Sequence, residues 1–284
     1  MGTLYIVATP IGNLSDASAR SIEILGAVDG ILAEDTRRTR KLLQRFELVT
    51  SMTSLHEHNE ASRIPQIVAR LDAGEDLALV SDAGTPLISD PGDRVLRAVL
   101  DAGHTVIPVP GPSAIVTALM AAGFPTVPFA FQGFVPRKGK DRKVLLEDIS
   151  SADHTSVVFE SPERVADLLK DLSALVAPDR QVVVAREMTK IHEEFFRGTM
   201  AEAARYFREN KARGEVTVVV SPQSPAEGME RVDEAAARAL ARALLDEGLS
   251  SSRAAREVSS RLSIAKNAAY EIVHSLEDDS KESR

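Results

Sequence analysis

The stretch ALVSDAGTPLISDPG, residues 78–92, joins an apolar run to a loop dense in turn residues. LALVS (77–81) has the length and composition of a buried strand, and two glycines, two prolines and two aspartates follow it. Parallel sheets bind ligands where loops leave the carboxyl ends of their strands. Gly84 would let a ligand approach the backbone, and Asp82 would accept a hydrogen bond from an amine or hydroxyl. We therefore expect a ligand site here, with a simple turn as the alternative.

The same alternation of short strands and amphipathic helices runs through the first part of the chain. Strands are predicted at 4–8, 30–33, 77–81 and 105–109, and helices at 16–25, 36–45, 60–73 and 92–102. This alternation predicts crossover units and a largely parallel sheet in an α/β domain that covers residues 1–112.

The following residues predict a second α/β domain, over 113–222. Strands are predicted at 129–134, 156–160, 181–186, 194–199 and 216–220, and helices at 141–150, 162–175 and 200–212. Two of these strands are close in sequence, which predicts a mixed sheet. SPQSPAEG (221–228) is typical of a linker.

A small helical tail is predicted over residues 229–276. One helix is predicted near 229–247, and two short segments with serine-rich starts follow it. This pattern resembles a helix-turn-helix. A helical cap or a dimerisation element is the alternative.

Two further loops resemble the one after residue 81. TPIGN (9–13) follows the first strand, and PVPGPSA (108–114) places Ser113 to cap the next helix. Three such loops at one sheet edge would form a cleft lined by backbone, suited to a small polar ligand. Because neither GxGxxG nor GxxxxGK[ST] is present, an ordinary NAD or ATP site is not expected.

The amino-acid composition limits the cellular compartment and the kinds of site that we expect. The chain of 284 residues has no cysteine, which excludes disulfides, thiolate metal sites and cysteine nucleophiles, and fits a reducing compartment. Six scattered histidines suggest no metal. No apolar run is long enough to span a bilayer, so a cytoplasmic protein is expected.

Charge allows nucleic-acid binding only through local patches, because the net charge is −8. Two basic clusters qualify, with a solvated helix face or charged loop as the alternative for each. They are Arg37, Arg38, Arg40, Lys41 and Arg45, and Arg137, Lys138, Lys140, Arg142 and Lys143.

Seven motifs in order carry a family resemblance. They are AEDTRRTRKLLQRF (33–46), LHEHNE (55–60), SDAGTPLISDPG (81–92), VPGPSA (109–114), AREMTK (185–190), FRGT (196–199) and RGEVTVVV (213–220). Together they resemble the ribosomal small-subunit RNA 2′-O-ribose methyltransferases of the tetrapyrrole-methylase superfamily, the RsmI-like group. The match covers residues 1–222 and extends into the tail.

The resemblance implies a cofactor, a substrate and a set of binding residues. The cofactor is S-adenosylmethionine, bound in the cleft between two α/β domains, and the substrate is a cytidine ribose in the decoding region of 16S ribosomal RNA, presented on the small subunit. Homodimers are common in the superfamily. The cofactor-binding residues implied are Pro10, Asp82, Ala83, Gly84, Pro86, Ile88, Ser113, Glu160 and Thr217.

The catalytic prediction falls on GILAEDTRRT, just beyond a predicted strand end. A ribose hydroxyl is a poor nucleophile, so a base or a group that stabilises the developing alkoxide would help. We predict that Asp35 accepts the proton or orients the substrate, and that Arg37 binds phosphate or polarises the ribose oxygen. Alternatively, Asp35 merely caps the helix that starts at Thr36.

The LHEHNE segment provides a second polar cluster, formed by His56, His58, Asn59 and Glu60. A histidine base is one interpretation of it, and helix capping by Asn59 is another.

Two rival functions remain open from the sequence. One is a tetrapyrrole (precorrin-type) methyltransferase, which would have little use for the tail. The other is a ligand-sensing nucleic-acid-binding protein that reads DNA through the tail. The second lacks Asn or Gln at the start of the candidate recognition helix, where base contacts are usual.

Overall fold

The computed structural model describes residues 1–223, 234–262 and 269–276, and the chain forms two compact units, Met1–Pro222 and Gln223–Arg284. Within the described residues, no helix has the length and apolar character needed to cross a membrane.

The first unit begins with a parallel sheet of five strands, as predicted. In chain order they are β1 (Thr3–Val7), β2 (Gly30–Ala33), β3 (Met52–Ser54), β4 (Leu77–Val80) and β5 (Thr105–Val109), and their order across the sheet is β3-β2-β4-β1-β5. Every paired neighbour runs parallel. Because crossover helices cover both faces, β2 and β4 are buried along their whole length.

Four helices connect these strands. They are α1 (Ala19–Ala27), α2 (Thr36–Arg45), α3 (Glu60–Asp72) and α4 (Asp93–Asp101), with a short 3₁₀ turn at Leu14–Asp16. The predicted helix at 16–25 begins later, because the Ser18 side chain accepts a hydrogen bond from the Ser21 N–H and caps α1. Strand β3 was missed, since three half-buried residues give no usable periodicity.

A second sheet follows and is mixed, as predicted. Its strands are β6 (Phe129–Phe134), β7 (Thr155–Glu160), β8 (Gln181–Arg186), β9 (Glu194–Thr199) and β10 (Val216–Val220), in the order β6-β7-β10-β8-β9. Only the β6–β7 pair is parallel. Its helices are α6 (Lys140–Ser151), α7 (Val165–Ser173) and α8 (Met200–Glu209).

Helix α5 (Ala114–Ala122) follows β5 but packs on the second sheet. Ile115 and Leu119 share a buried cluster with Val157, Val183 and Val219, and the same cluster includes Ile11 from the loop after β1. Ser113 stands at the N-cap position of α5, but its side chain makes no capping hydrogen bond, so the predicted cap is wrong.

The second unit is a small helical bundle with its own core. It contains α9 (Glu234–Asp246), α10 (Ser251–Leu262) and a helical stretch at 269–276. Alanines and a few larger side chains fill the core, among them Ala241, Leu244, Ala255 and Val273. Most of the predicted linker and the start of the predicted 229–247 helix lie outside the described residues.

Candidate active site

A cavity of about 500 Å³ lies where β1, β2, β4 and β5 end. Its volume is within the range of small-molecule sites. The loops after these four strands supply one side, and residues of β6, β7 and β10 and of the loop after β8 supply the other. The sequence-based expectation of a cleft at this sheet edge is therefore met.

Seven of the nine predicted cofactor residues line this one cavity. They are Asp82, Ala83, Gly84, Ile88, Ser113, Glu160 and Thr217. Pro10 and Pro86 are next to lining residues in sequence but do not line the cavity themselves, and neither do Asp35 and Arg37.

Two backbone hydrogen bonds join the loops after β1 and β4. The Thr9 N–H donates to the Gly84 carbonyl at 2.8 Å, and the Gly84 N–H donates to the Thr9 carbonyl at 3.0 Å. The backbone groups of Gly84 that we expected a ligand to use are therefore already paired. What Gly84 contributes is space and a left-handed backbone with φ of 84°.

The rest of the β4–α4 loop is strained. Leu87 and Ser89 adopt φ values of 75° and 65°, which cost non-glycine residues free energy. Leu87 packs against the buried core of the first sheet, and this contact holds the unfavourable conformation. The three following residues, Ile88, Ser89 and Asp90, all line the cavity.

Carboxylates cross-link the loops after β2 and β4. The Asp35 N–H donates to Asp82 Oδ1 at 2.9 Å, and the Asp82 N–H donates to Glu34 Oε2 at 3.3 Å. Arg38 on α2 lines the cavity, with its Nε 3.4 Å from Asp82 Oδ2. Asp82 is therefore part of the scaffold as well as of the lining.

Two lining carboxyls have perturbed proton affinity. Burial and then the charge of Asp82 raise the pKa of Glu34. Burial raises the pKa of Asp90 to about 6, a hydrogen bond from Ser81 opposes the rise, and Glu34 and Asp82 add to it. Asp90 lies in the loop for which the sequence predicts a ligand site, but burial is not visible in a single sequence, so no role for Asp90 was predicted.

Asp35 and Arg37 form an ion pair at the start of α2. The Asp35 carboxylate accepts from the Arg37 N–H at 2.9 Å, and Arg37 Nη2 is 2.6 Å from Asp35 Oδ2. These contacts lower the pKa of Asp35 to about 2. The capping contact that we considered is thus formed, while the Arg37 side chain remains 85% exposed.

Glu160, at the end of β7, is buried in the cavity wall. Its carboxylate pairs with Arg164 and accepts from the Ser161 N–H at 2.7 Å, while Oε2 has no hydrogen-bond partner. Arg142 Nη1 is 4.0 Å from Glu160 Oε2, and Arg142 Nη2 is 2.8 Å from Asp171 Oδ2. Since the Arg142 side chain is only 13% exposed, it does not belong to an exposed basic patch, and its predicted membership of the second basic cluster is wrong.

In the LHEHNE cluster, Asn59 and Glu60 make hydrogen bonds that hold neighbouring backbone segments. Asn59 makes no capping bond; its Oδ1 accepts from the His56 N–H and its amide donates to the Ser54 carbonyl. Buried Glu60 accepts from the N–H groups of Arg94 and Val95 and so caps α4. None of the four predicted residues lines the cavity, and within the described residues no group of three or more side chains could hold a metal.

The family is shown by the match of residues 3–204 to the model for tetrapyrrole (corrin/porphyrin) methylases. The chain belongs to this family, and it is a methyltransferase. Its fold resembles that of a uroporphyrin-III-C-methyltransferase from Thermus thermophilus, with a TM-score of 0.54 and 19% identity over 77% of this chain and 94% of that one. A crystal structure of diphthine synthase gives a TM-score of 0.61 and 14% identity over 78% and 90% of the two chains.

Curated relatives are far more similar in sequence. A ribosomal RNA small subunit methyltransferase I from Synechocystis sp. is 42% identical over 98% of this chain and 100% of the relative. One of the same name from Thermotoga maritima is 47% identical over 78% of this chain and 99% of its own length. The Thermotoga protein is thus shorter than this chain by about the length of the helical unit.

Proposed function

We propose that this chain transfers a methyl group from S-adenosylmethionine to the 2′ hydroxyl of a cytidine ribose in the decoding region of 16S ribosomal RNA. It acts on the small ribosomal subunit in the cytoplasm. The observation that supports the proposal is the similarity, 42% identity over 98% of this chain, to a relative named ribosomal RNA small subunit methyltransferase I. The cavity at the carboxyl ends of the parallel strands is the proposed site of methyl transfer.

The charge of the cavity lining fits the proposed methyl donor. The lining holds five carboxylates, Glu34, Asp82, Asp90, Glu160 and Glu215, against the single guanidinium of Arg38. S-adenosylmethionine carries a sulfonium and an ammonium group, and an acidic site favours such a cation. A tetrapyrrole with many carboxylates would be repelled, so the lining does not favour that rival.

Other lining groups suit the remaining parts of the donor. Phe134, Phe159 and Met188 offer apolar surface for an adenine ring. Glu160 Oε2, buried without a hydrogen-bond partner, needs a donor such as a hydroxyl or an amine. We therefore assign donor binding to Asp82, Ala83, Gly84, Ile88, Ser113, Glu160 and Thr217, with Pro10 and Pro86 shaping the adjacent loops.

S-adenosylmethionine supplies an electrophilic methyl carbon. The task of this chain is to hold the ribose hydroxyl in line with that carbon and to exclude water. The Asp35–Arg37 pair orients the substrate in this account. The exposed Arg37 guanidinium binds a phosphate, and Asp35 fixes its direction.

Basic helix faces guide the RNA to the cavity. Helix α2 exposes Arg37, Arg40, Lys41 and Arg45, and Arg38 of the same helix lines the cavity. A phosphate backbone bound along α2 would therefore deliver a nucleotide to the lining. Arg137, Lys138, Lys140 and Lys143, all exposed, supply a second patch around the start of α6.

Residues 229–276 act as an additional RNA-docking domain, separate in sequence from the α/β domains at 1–112 and 113–222. Helix α10 exposes Arg253, Arg256 and Arg261, although Arg261 is paired with Glu257 at 2.9 Å. Cations on one helix face suit the backbone of a structured RNA.

The chain works as a homodimer in this proposal. Helix α5 leaves Val116 and Met120 exposed, at 51% and 77%. Exposed apolar side chains on a packed helix are typical of an interface.

The test is transfer of labelled methyl from S-adenosylmethionine to three acceptors: small subunits from a strain lacking this activity, naked 16S RNA and a precorrin-type tetrapyrrole. Label in the subunits and none in the tetrapyrrole is expected. Label only in the tetrapyrrole would contradict the proposal and favour a tetrapyrrole methyltransferase. Binding of the donor without transfer to any acceptor, together with duplex binding by the chain, would favour the sensor.

A further inference from the structure

Of the five lining carboxylates, Glu34 and Asp90 have no ion pair within the described residues, and of these two Glu34 is held by the Asp82 N–H. Asp82 accepts from the Asp35 N–H and lies beside Arg38, and Glu34 accepts from the Asp82 N–H. Glu160 pairs with Arg164, and Glu215 with Lys190 at 3.1 Å. The Ser81 hydroxyl interacts with the Asp90 carboxylate and lies 3.4 Å from a second acceptor, the Ala83 carbonyl.

The backbone around Asp90 is held in place despite its strain. Ser89 has a φ of 65°, and Gly92, two residues after Asp90, is at the N-cap position of α4. Buried Glu60 anchors that helix by accepting from the Arg94 and Val95 N–H groups. Strain maintained by its surroundings is common where a side chain must be positioned for function.

We propose that Asp90 is the catalytic base that accepts the proton of the ribose 2′ hydroxyl. This inference rests on the proposed function. As the oxygen–carbon bond forms, the carbon–sulfur bond breaks and its electron pair remains on sulfur, so the hydroxyl proton must leave. It passes to an oxygen of the Asp90 carboxylate and then to water.

The charges that face Asp90 support this role. Burial raises its pKa most, and Glu34 on the β2–α2 loop and Asp82 on the same loop as Asp90 add to the rise, while Arg38, Glu160 and Glu215 complete the charged lining. A carboxylate with a pKa of about 6 is ionised at neutral pH, yet it holds a proton more strongly than an ordinary aspartate does. Asp35, with a pKa of about 2, is a far weaker base.

The first test is the Asp90→Asn variant with Asp93→Asn as its control. Asp93 is exposed in the first turn of α4 and does not line the cavity. For Asp90→Asn, kcat on small subunits is expected to fall about 100-fold or more, the usual contribution of a general base. Calorimetric affinity for S-adenosylmethionine should fall by less than about fivefold, far less than kcat, since the base acts on the other substrate and four other lining carboxylates remain. Asp93→Asn should retain both.

The pH profile adds a readout that a structural role would not change. The wild-type kcat should rise through the pKa of Asp90 and then level off. Because the hydrogen bond from Ser81 lowers that pKa, Ser81→Ala should move the rise to higher pH. Asp90→Asn should have no such rise.

Thermal unfolding tests the same carboxyl without any turnover. Because folding raises the pKa of Asp90, this carboxyl does not lower the free energy of unfolding at pH values below its unfolded-state pKa of about 4. It lowers the free energy of unfolding more and more as the pH rises through about 6. Asp90→Asn should therefore be more thermostable than the wild type at pH 8 and no more so at pH 4.

The outcomes separate this inference from the proposed function. If the wild type is active and Asp90→Asn keeps the full kcat, the assignment of Asp90 as the base is wrong while the proposed function stands. A large loss of donor affinity in Asp90→Asn would overturn the same assignment. An unchanged pH profile in Ser81→Ala would also contradict it. No transfer by the wild type to any RNA substrate would refute the proposed function itself.

Discussion

At residue scale, Gly84 combines a left-handed backbone with a place in the cavity wall. Its φ is 84°, and a Cβ added there would lie 3.4 Å from Ile11 Cγ2, another lining atom. Gly74 has a nearly identical φ of 89°, but a Cβ there would meet nothing within 4 Å. The two glycines therefore separate backbone strain from cavity crowding.

Gly84→Val and Gly74→Val should both destabilise the fold by about 1–2 kcal/mol, because an L side chain is strained at positive φ. Only Gly84→Val should also weaken binding of S-adenosylmethionine, by about tenfold or more, since its methyl groups enter the cavity. Thermal unfolding and titration calorimetry measure the two effects. Equal donor affinity in the two variants would remove Gly84 from the binding site.

Asp35 offers a second residue-scale prediction, because asparagine preserves a helix cap and alanine does not. Asp35→Ala should unfold at a lower temperature than Asp35→Asn. Both should bind the methyl donor normally and raise the KM for small subunits, since both lose the Arg37 ion pair. With a pKa of about 2, Asp35 stays ionised from pH 5 to 9, so its loss should not change the shape of the pH profile. A loss of kcat at unchanged KM would instead make Asp35 the base.

Site residues that follow one strand could be predicted from the sequence, whereas a residue whose role depends on distant segments could not. Asp82 and Gly84 follow one strand, so a single loop assignment predicts both, whereas Ala83 and Ile88 were assigned through the family resemblance. Asp90 lies in the same loop, but its significance depends on burial and on Glu34 from a distant segment. Charges brought together by the fold leave no local pattern.

At the scale of elements, α2 connects RNA binding to the cavity in this account. Its exposed cations follow the helical repeat, while Leu42 and Leu43 bury the opposite face against the sheet. The amphipathic pattern predicted this helix correctly. Strand β3 escaped prediction, because only pairing with β2 defines so short a strand.

Replacing Arg40 and Lys41 with alanine should weaken binding to small subunits and flatten its salt dependence. Each lost phosphate contact should reduce the slope of log K against log salt concentration by about 0.7–0.9. Arg97→Ala, an exposed cation on α4 outside the lining, is the control and should leave the slope unchanged. The assay is filter binding over a salt series. An unchanged slope in the double variant would exclude this face of α2 from the RNA interface.

At the scale of the whole molecule, the two units have separate cores of different composition. The first contains both sheets and the cavity, and the helical unit has a separate core built largely from alanines. The regular strand–helix alternation allowed the parallel sheet to be predicted. Packing of α5 on the second sheet was not predictable, because an apolar helix does not indicate which sheet it will cover.

Removal of residues 223–284 should leave a folded protein that binds S-adenosylmethionine as tightly as the full chain. The near-complete match of the shorter Thermotoga relative supports this expectation. The truncated chain should lose kcat/KM on small subunits by about tenfold, since an RNA-docking surface is gone. Unchanged kcat/KM would mean that the helical unit does not contribute to substrate binding.

The central claim is the position of the transferred methyl group. Small subunits from a strain lacking this activity would be incubated with the protein and labelled S-adenosylmethionine, digested with nuclease and mapped by mass spectrometry. Our account predicts one new methyl group, on the ribose of one cytidine in the decoding region. A methyl group on a base, at many sites, or in no ribosomal RNA at all would contradict it.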